Sequence, residues 1–193
     1  MKNILSTLSL LIALAAVAAA PEKNDINGGF EKCRANAKGF VTPEGWVQNK
    51  ISKGVKHSAT TEEVRSGKFA FYAEAEEKAM AYIYYYPAHI KADAGDTLTF
   101  TVYGKGEGSF RLGATVYSDE TKRRFIRTIS AGKPQKISDG EKWQKFVFRC
   151  KLGKQKRSGK EYAKFQLHPT IIISGTGEFV LDDLSYELKK GNN

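Results

Sequence analysis

Short runs of alternating apolar and polar residues, separated by glycine-rich turns, dominate this chain of 193 residues. In residues 97–103, leucine, phenylalanine and valine alternate with threonine and tyrosine, and residues 110–117 alternate in a similar way. A period of two places one face of a strand on a core and the other face towards solvent. Helical periodicity is almost absent, and residues 73–81, the one run that could be helical, lie between two predicted strands. We therefore predict an all-β fold, an antiparallel β-sandwich of the jelly-roll type.

The first twenty residues predict a secretory signal peptide. A positively charged start is followed by the uncharged, alanine-rich run 4–20, and a polar segment comes next. Residues 21–193 are then predicted to form a single domain. We expect the protein to be secreted or periplasmic, with no membrane span after signal cleavage. An uncleaved N-terminal anchor is the alternative.

Positive charge distinguishes this chain from an average soluble protein. It has 31 lysines and arginines against 21 acidic residues, and a net charge of +10. Much of the excess lies in two predicted loops, 118–142 and 151–164. Such charge favours an acidic polymer as the partner, and solvated loop tips are the alternative. We expect no nucleic-acid partner, because an exported chain without a nucleic-acid-binding motif is a poor candidate for that role.

The cysteines and histidines suggest one candidate disulfide bond and no zinc site. Cys33 and Cys150 are the two cysteines, and an even pair in an exported protein is a candidate disulfide bond. Two buried free thiols are the alternative. The three histidines have no spacing typical of zinc ligands.

The two ends of the mature chain each carry an acidic residue beside apolar ones. Glu31 follows Asn-Gly-Gly-Phe in a short predicted strand, and Asp182 follows Phe-Val-Leu in the last predicted strand. The first and last strands of an antiparallel sandwich often lie side by side, which would bring these two carboxylates together. Two carboxylates do not sit together without a cation or a proton between them. A structural metal is therefore one hypothesis, and ordinary edge acids paired with lysines are the other.

Six short motifs occur in a characteristic order along the mature chain. They are Asn-Gly-Gly-Phe-Glu (27–31), Pro-Glu-Gly-Trp (43–46), Ser-Gly-Lys (66–68), Asp-Ala-Gly-Asp (93–96), Trp-Gln-Lys-Phe (143–146) and Leu-Asp-Asp-Leu (181–184). This order resembles carbohydrate-binding modules of the cellulose- and xylan-binding type, within the galactose-binding-like jelly-roll superfamily. The resemblance implies a structural Ca²⁺ ion whose ligands would map onto Glu31, Ser66, Lys68 and Asp182. Calcium takes its ligands from carboxylate and carbonyl oxygens, which these positions can supply.

A tyrosine-rich strand is the best candidate for sugar binding. Aromatic faces stack on pyranose rings, and nearby polar groups bond the hydroxyls. Alternation places Tyr82, Tyr84 and Tyr86 on one face of the predicted strand 80–86. The polar faces of neighbouring strands add further candidates, which are Tyr103, Arg111 and Tyr117. The alternative is that the tyrosine row packs into the core.

The expected function is that of an exported, non-catalytic carbohydrate-binding module whose partner is a polysaccharide or other glycan, an acidic one included. We predict no enzymatic activity, because the sequence has no nucleophile–histidine–acid order and no evident pair of facing carboxylates. The first alternative is a protein-interaction or surface-assembly jelly-roll domain without sugar binding. A small polysaccharide lyase or hydrolase is the third candidate.

Overall fold

The computed structural model describes residues 26–35, 40–87 and 90–191, so the predicted signal peptide lies outside the described residues. Within these ranges the chain forms strands and turns, and no helix there has the length and hydrophobicity that crossing a bilayer would require. The strands are β1 (Cys33–Ala35), β2 (Val41–Pro43), β3 (Trp46–Gln48), β4 (Lys53–Thr60), β5 (Ala70–Tyr85), β6 (Ile90–Asp93), β7 (Thr97–Ser118), β8 (Phe125–Ser130), β9 (Gln135–Ile137), β10 (Gln144–Lys151), β11 (Gln155–Arg157), β12 (Lys160–Tyr162), β13 (Lys164–Ser174) and β14 (Gly177–Lys189).

Two long strands, β5 and β7, each contribute to both layers of the sandwich. Their first halves pair with β4, β14 and β10, which gives a first layer in the order β10-β7-β14-β5-β4. Their second halves pair with β13, and β8 and β3 lie at the two sides of this second layer. β6 extends the second layer beside β13. All these pairings are antiparallel, so the predicted β-sandwich is confirmed.

The bends in the two long strands occur where the backbone adopts left-handed conformations. In β7, Gly106 has φ of +109°, and a Cβ atom there would lie 2.6 Å from the carbonyl oxygen of Glu178. Only glycine fits such a position without strain. In β5, Lys78 has φ of +61°, within the run 73–81 that is a strand rather than a helix. These bends direct outward-facing side chains of the same strand to different layers.

A single hydrophobic cluster fills the space between the layers. The predicted alternation in residues 97–103 is confirmed, because Leu98, Phe100 and Val102 are at most 1% exposed. Phenylalanines from both layers meet there, as in the pair Phe110 and Phe179, whose ring centroids lie 5.9 Å apart. Burial of these large side chains is the main source of stability.

The opening and closing segments lie side by side, as predicted. The backbone N–H of Leu184 donates to the carbonyl oxygen of Gly28 over 2.8 Å. The opening segment itself is a turn rather than the predicted short strand, because Asn27 and Phe30 have φ of +45° and +55°. The N–H of Phe30 closes this turn by donating to Asn27 O over 3.0 Å.

The predicted disulfide bond between Cys33 and Cys150 is wrong, because both residues are free thiols. Cys33 lies in β1, which pairs with β2, and its thiol donates to the carbonyl oxygen of Phe30 over 3.0 Å. Cys150 lies in β10, opposite Leu98 of β7. The two strands are not neighbours, and a disulfide bond needs Cβ atoms about 4 Å apart.

Candidate functional site

A groove of about 500 Å³ lies on the outer face of the second layer. Its central residues come from β5 and β7, which flank β13. Asn49 and Ile51 lie on the β5 side, and β8 with the end of β11 forms the opposite side. The lining residues are Asn49, Ile51, Tyr82, Tyr84, Thr115, Tyr117, Phe125, Ile126, Arg127, Thr128 and Arg157.

Tyrosines of β5 face this groove because strand alternation sends their neighbours into the core. Ala81 and Ile83 are fully buried, whereas Tyr82 and Tyr84 are half-buried and line the groove. Tyr86 follows the end of β5, is 57% exposed and contacts the ring of Tyr84 at a centroid distance of 6.4 Å. The predicted tyrosine row therefore lies outside the core.

His168 of β13 supports the aromatic residues from beneath. It is 2% exposed, and its Nδ1 atom lies 2.9 Å from the carbonyl oxygen of Tyr85. The rings of Tyr84, Tyr86 and Tyr117 surround it at centroid distances of 6.2, 6.1 and 5.2 Å. No local pattern indicates this role of His168, because β13 comes between β5 and β7 only through long-range pairing.

Two arginines are the charged residues that line the groove. Arg157 donates from Nη1 to the carbonyl oxygen of Ile126 over 3.0 Å, and its guanidinium carbon lies 5.2 Å from the ring centroid of Phe125. Arg127 belongs to β8 and is exposed. The signal that could have found both was the excess charge in 118–142 and 151–164. Parts of those predicted loops are strands next to the groove.

Two of the predicted platform residues do not line the groove. Tyr103 lies on the first layer, because β7 bends after it, and its ring is covered by the guanidinium of Arg65 at 3.6 Å. Arg111 shares the outer face with Thr115 and Tyr117 but stands outside the groove lining. Its Nε atom is buried and has no hydrogen-bond partner. Of the six predicted residues, three line the groove and Tyr86 borders it.

The predicted calcium ligands meet at one edge of the sandwich, around the turn 65–69. The backbone N–H groups of Lys68 and Phe69 donate to Glu31 Oε1 over 2.9 and 3.1 Å. Those of Arg65 and Ser66 donate to Asp182 Oδ2 over 2.9 and 3.1 Å. The turn thus presents N–H groups to both carboxylates.

The acidic side chains at this edge have unequal surroundings. Asp182 is fully buried, and burial raises the pKa of its carboxyl group despite three backbone hydrogen bonds. Asp183 forms an ion pair with Arg65 and accepts a hydrogen bond from Ser66 Oγ over 2.6 Å. Within the described ranges, no group of three or more histidine, cysteine, aspartate or glutamate side chains is arranged to hold a metal ion. The carboxylate oxygens of Glu31 and Asp182 are ligands of the kind that calcium takes, and backbone carbonyl oxygens would have to complete the set.

A second cavity, which we call the acidic pocket, lies on the outer face of the first layer. It has a volume of about 420 Å³. Its charged or polar lining residues include Glu62, Glu63, Glu107, Glu178, Lys105 and Tyr72. Lys105 Nζ pairs with Glu63 Oε2 over 2.7 Å. Burial and the hydrogen bond to Glu178 raise the pKa of Tyr72 to about 12.

Comparison with known proteins gives structural relatives only. No protein-family model matches this chain. No curated protein matches it either. Among solved structures, the CBM22-1 xylan-binding domain from Paenibacillus barcinonensis Xyn10C is similar over 90% of this chain and 100% of its own. Its TM-score is 0.54 and its sequence identity 15%.

The chain has a jelly-roll fold like that of the CBM22-1 domain. The resemblance predicted from the six motifs is confirmed at the level of the fold. A cyclase from Fischerella sp. TAU shares this jelly roll, with a TM-score of 0.56, 12% identity and coverage of 86% of this chain and 96% of that one. The enzymatically active domain of bacteriophage CBA120 tailspike protein 4 matches 87% of this chain with 21% of its own length, at a TM-score of 0.51 and 11% identity. Because one jelly roll serves binding modules and enzymes, function must be argued from the groove.

Proposed function

We propose that this chain is an exported, non-catalytic domain that binds polysaccharide in the groove of the second layer. The observation that carries this proposal is the row of outward-facing aromatic side chains along an open groove. Tyr82, Tyr84 and Tyr117 form its centre, and Phe125, which is 43% exposed, lies at its β8 side. A glycan chain lying across these strands would meet several rings in succession.

The chemistry of the lining suits sugar rings. The apolar C–H faces of a pyranose stack on tyrosine and phenylalanine rings. Hydroxyl groups of the sugar need both donors and acceptors, which Asn49 and Thr128 supply. A mostly apolar lining with a few polar groups is the general pattern of small-ligand and glycan sites.

The groove is poorly equipped for bond cleavage. Glycoside hydrolysis needs two carboxyl groups across the scissile bond, and the residues that line this groove include none. An elimination reaction needs a base, and burial raises the pKa of Tyr117, which makes its phenolate harder to form near neutral pH. These observations favour binding over lyase or hydrolase activity.

The structural relatives suggest the first ligand to test. One relative is described as a xylan-binding domain. The CBM22-1 and GH10 modules of Clostridium thermocellum Xyn10B, similar at a TM-score of 0.50 and 18% identity, were solved with xylohexaose. We therefore include xylan among the polysaccharides to test.

The test is binding to a panel of soluble polysaccharides, measured by affinity electrophoresis and by isothermal titration calorimetry. The panel contains xylan, a β-glucan, a galactan and a polyuronate. Binding to at least one member supports the proposal. A folded protein that binds none would contradict it and favour a protein-interaction domain. An increase in absorbance near 235 nm, or release of reducing ends, would show catalysis and contradict the non-catalytic part.

We further propose a structural calcium ion held by Glu31 and Asp182, with backbone carbonyls of Ser66 and Lys68. The grouping of these residues around one turn supports it. A ligand that binds only the folded state raises its stability. We expect millimolar Ca²⁺ to raise the melting temperature relative to EDTA, and Glu31→Gln to abolish the difference. Equal melting temperatures in calcium and EDTA would contradict the calcium site.

A further inference from the structure

We infer that the groove selects an anionic polysaccharide, with Arg127 and Arg157 binding its acidic groups. This inference rests on the proposed function and specifies its ligand class. The groove lining contains these two cations and no carboxylate. Neither arginine forms an ion pair with a described acidic residue, so both charges are available to a ligand.

Two lysines close to Arg157 in sequence pair with acidic residues, unlike the two arginines of the groove. Lys154 and Lys160 lie just before β11 and at the start of β12, close to Arg157 in sequence. Lys154 pairs with Glu161 over 3.0 Å, and Lys160 pairs with Glu120. Glu161 of this hairpin and Glu120 of the β7–β8 connection are therefore paired with lysines, while Arg157 lines the groove.

The geometry of Arg157 suits a bound carboxylate. One of its five N–H donors is used by the carbonyl oxygen of Ile126, and Phe125 lies beside the guanidinium. These contacts restrain the side chain and leave other donors free. A restrained guanidinium loses little entropy on binding and can engage both oxygens of a carboxylate, which a lysine cannot do in the same way.

The surroundings of the groove extend the positive field. Arg123 and Arg124 lie on the connection that leads into β8, where Asp119 accepts a hydrogen bond from Gln166 over 2.7 Å. Four glutamates line the acidic pocket of the other layer instead. A groove lined by one sign of charge attracts ligands of the opposite sign and raises their association rate.

The experiment compares a polyuronate with the same polymer after chemical reduction of its carboxyl groups, which keeps the sugar backbone and removes the charge. Isothermal titration calorimetry with the full domain at about 50 mM salt should show binding to the polyuronate at least about tenfold tighter. The difference should shrink as salt is added. The double variant Arg127→Gln/Arg157→Gln should lose this preference, so that its affinities for the polyuronate and the reduced polymer become equal.

The matched control is Lys154→Gln/Lys160→Gln, which removes two positive charges that lie close by and are paired with acids. It should retain the preference. A sulfated glycan tests whether the acidic group must be a carboxylate. Binding as tight as that of the polyuronate extends the ligand class to sulfates, and weaker binding restricts it to carboxylates. The preference for an anionic ligand is supported in either case.

The outcomes separate the two proposals. Equal affinity for the polyuronate and its reduced form overturns the anionic preference and leaves polysaccharide binding in place. An equal loss of preference in the lysine control, or equally tight binding to duplex DNA, overturns the assignment to the two arginines, because net charge would then explain the result. Absence of binding to every polymer by the folded protein overturns polysaccharide binding itself.

Discussion

The outer faces of the two layers carry cavities of similar size and opposite character. The groove of the second layer is lined by three tyrosines, a phenylalanine and two arginines, with no acid. The acidic pocket of the first layer is lined by four glutamates together with Lys105 and Tyr72. Both occur in one jelly roll, and the same strands, β5 and β7, contribute to each. The difference therefore comes from which side chains each half-strand directs outward.

The polar groups of the two cavities also differ in how they are satisfied. In the acidic pocket, Lys105 pairs with Glu63, and Tyr72 bonds Glu178. In the groove, Arg127 and Arg157 have no described acidic partner. A charged group that is already paired within the protein gains less free energy by binding a ligand. Unpaired cations and exposed aromatic rings, in contrast, favour ligand binding. This contrast is the reason for assigning binding to the groove, although the acidic pocket is also a sizeable cavity.

Removal of two groove rings should have the largest effect. Tyr84→Ala combined with Tyr117→Ala removes two stacking faces, so we expect affinity for the preferred polysaccharide to fall about 100-fold, or about 2.7 kcal/mol. Tyr72→Ala in the acidic pocket should leave affinity unchanged. Calorimetry on both variants, with circular dichroism to confirm folding, makes the comparison. A matching loss for Tyr72→Ala would move the binding site to the other layer.

A glycine beneath the groove offers a test of its scaffold. A Cβ atom at Gly113 would lie 2.1 Å from the carbonyl oxygen of Ile129 in β8. Backbone must then shift, so we expect Gly113→Ala to lower the free energy of unfolding by about 2–3 kcal/mol. Urea denaturation measures this value. Gly132→Ala, where no atom lies within 4 Å of the added Cβ, is the control, and an equal effect there would refute the packing argument.

The ion pair of the acidic pocket should matter less. Glu63 has a side chain that is 50% exposed, against 19% for Lys105. We expect Glu63→Gln to lower the free energy of unfolding by about 0.5 kcal/mol, because solvent screens exposed pairs. The loss should diminish in about 1 M salt, and affinity for polysaccharide should not change. A large loss of affinity would show that the acidic pocket takes part in binding.

Tyrosine ionisation gives the most local test, because its effect appears only at high pH. Tyr72 has a pKa of about 12 in the folded protein, against about 10 for an unperturbed tyrosine. A raised pKa means that the folded state holds its proton more tightly. This contribution to stability is therefore present below pH 10 and is lost as the pH rises towards 12. We expect Tyr72→Phe to flatten the decline in melting temperature over that range. An unchanged decline would show that folding does not raise the pKa of Tyr72.

Local patterns predicted the parts of the fold that depend on neighbouring residues. Alternation correctly separated Leu98 and Phe100 from their polar neighbours, and it placed Tyr82 and Tyr84 on one face. The same rule could not say that β7 bends at Gly106, because that bend depends on close contact with β14. For this reason Tyr103 was predicted beside Tyr117, although the two lie on different layers.

The remaining site residues depend on long-range pairing. His168 reaches the tyrosines only because β13 lies between β5 and β7. Arg127 and Arg157 were visible as charge, but the sequence could not show that their segments border the groove. The turn at residues 27–31 was predicted as a strand because its left-handed backbone angles have no apolar–polar signature.

The most direct test of groove binding is a ¹H–¹⁵N titration of the domain with oligosaccharides from the polymer it binds most tightly. Polysaccharide binding in the groove predicts that chemical-shift changes concentrate in residues 82–86, 113–117 and 125–128. Changes concentrated instead in residues 60–63, 105–107 and 177–180 would contradict it, as would a titration in which no resonance moves.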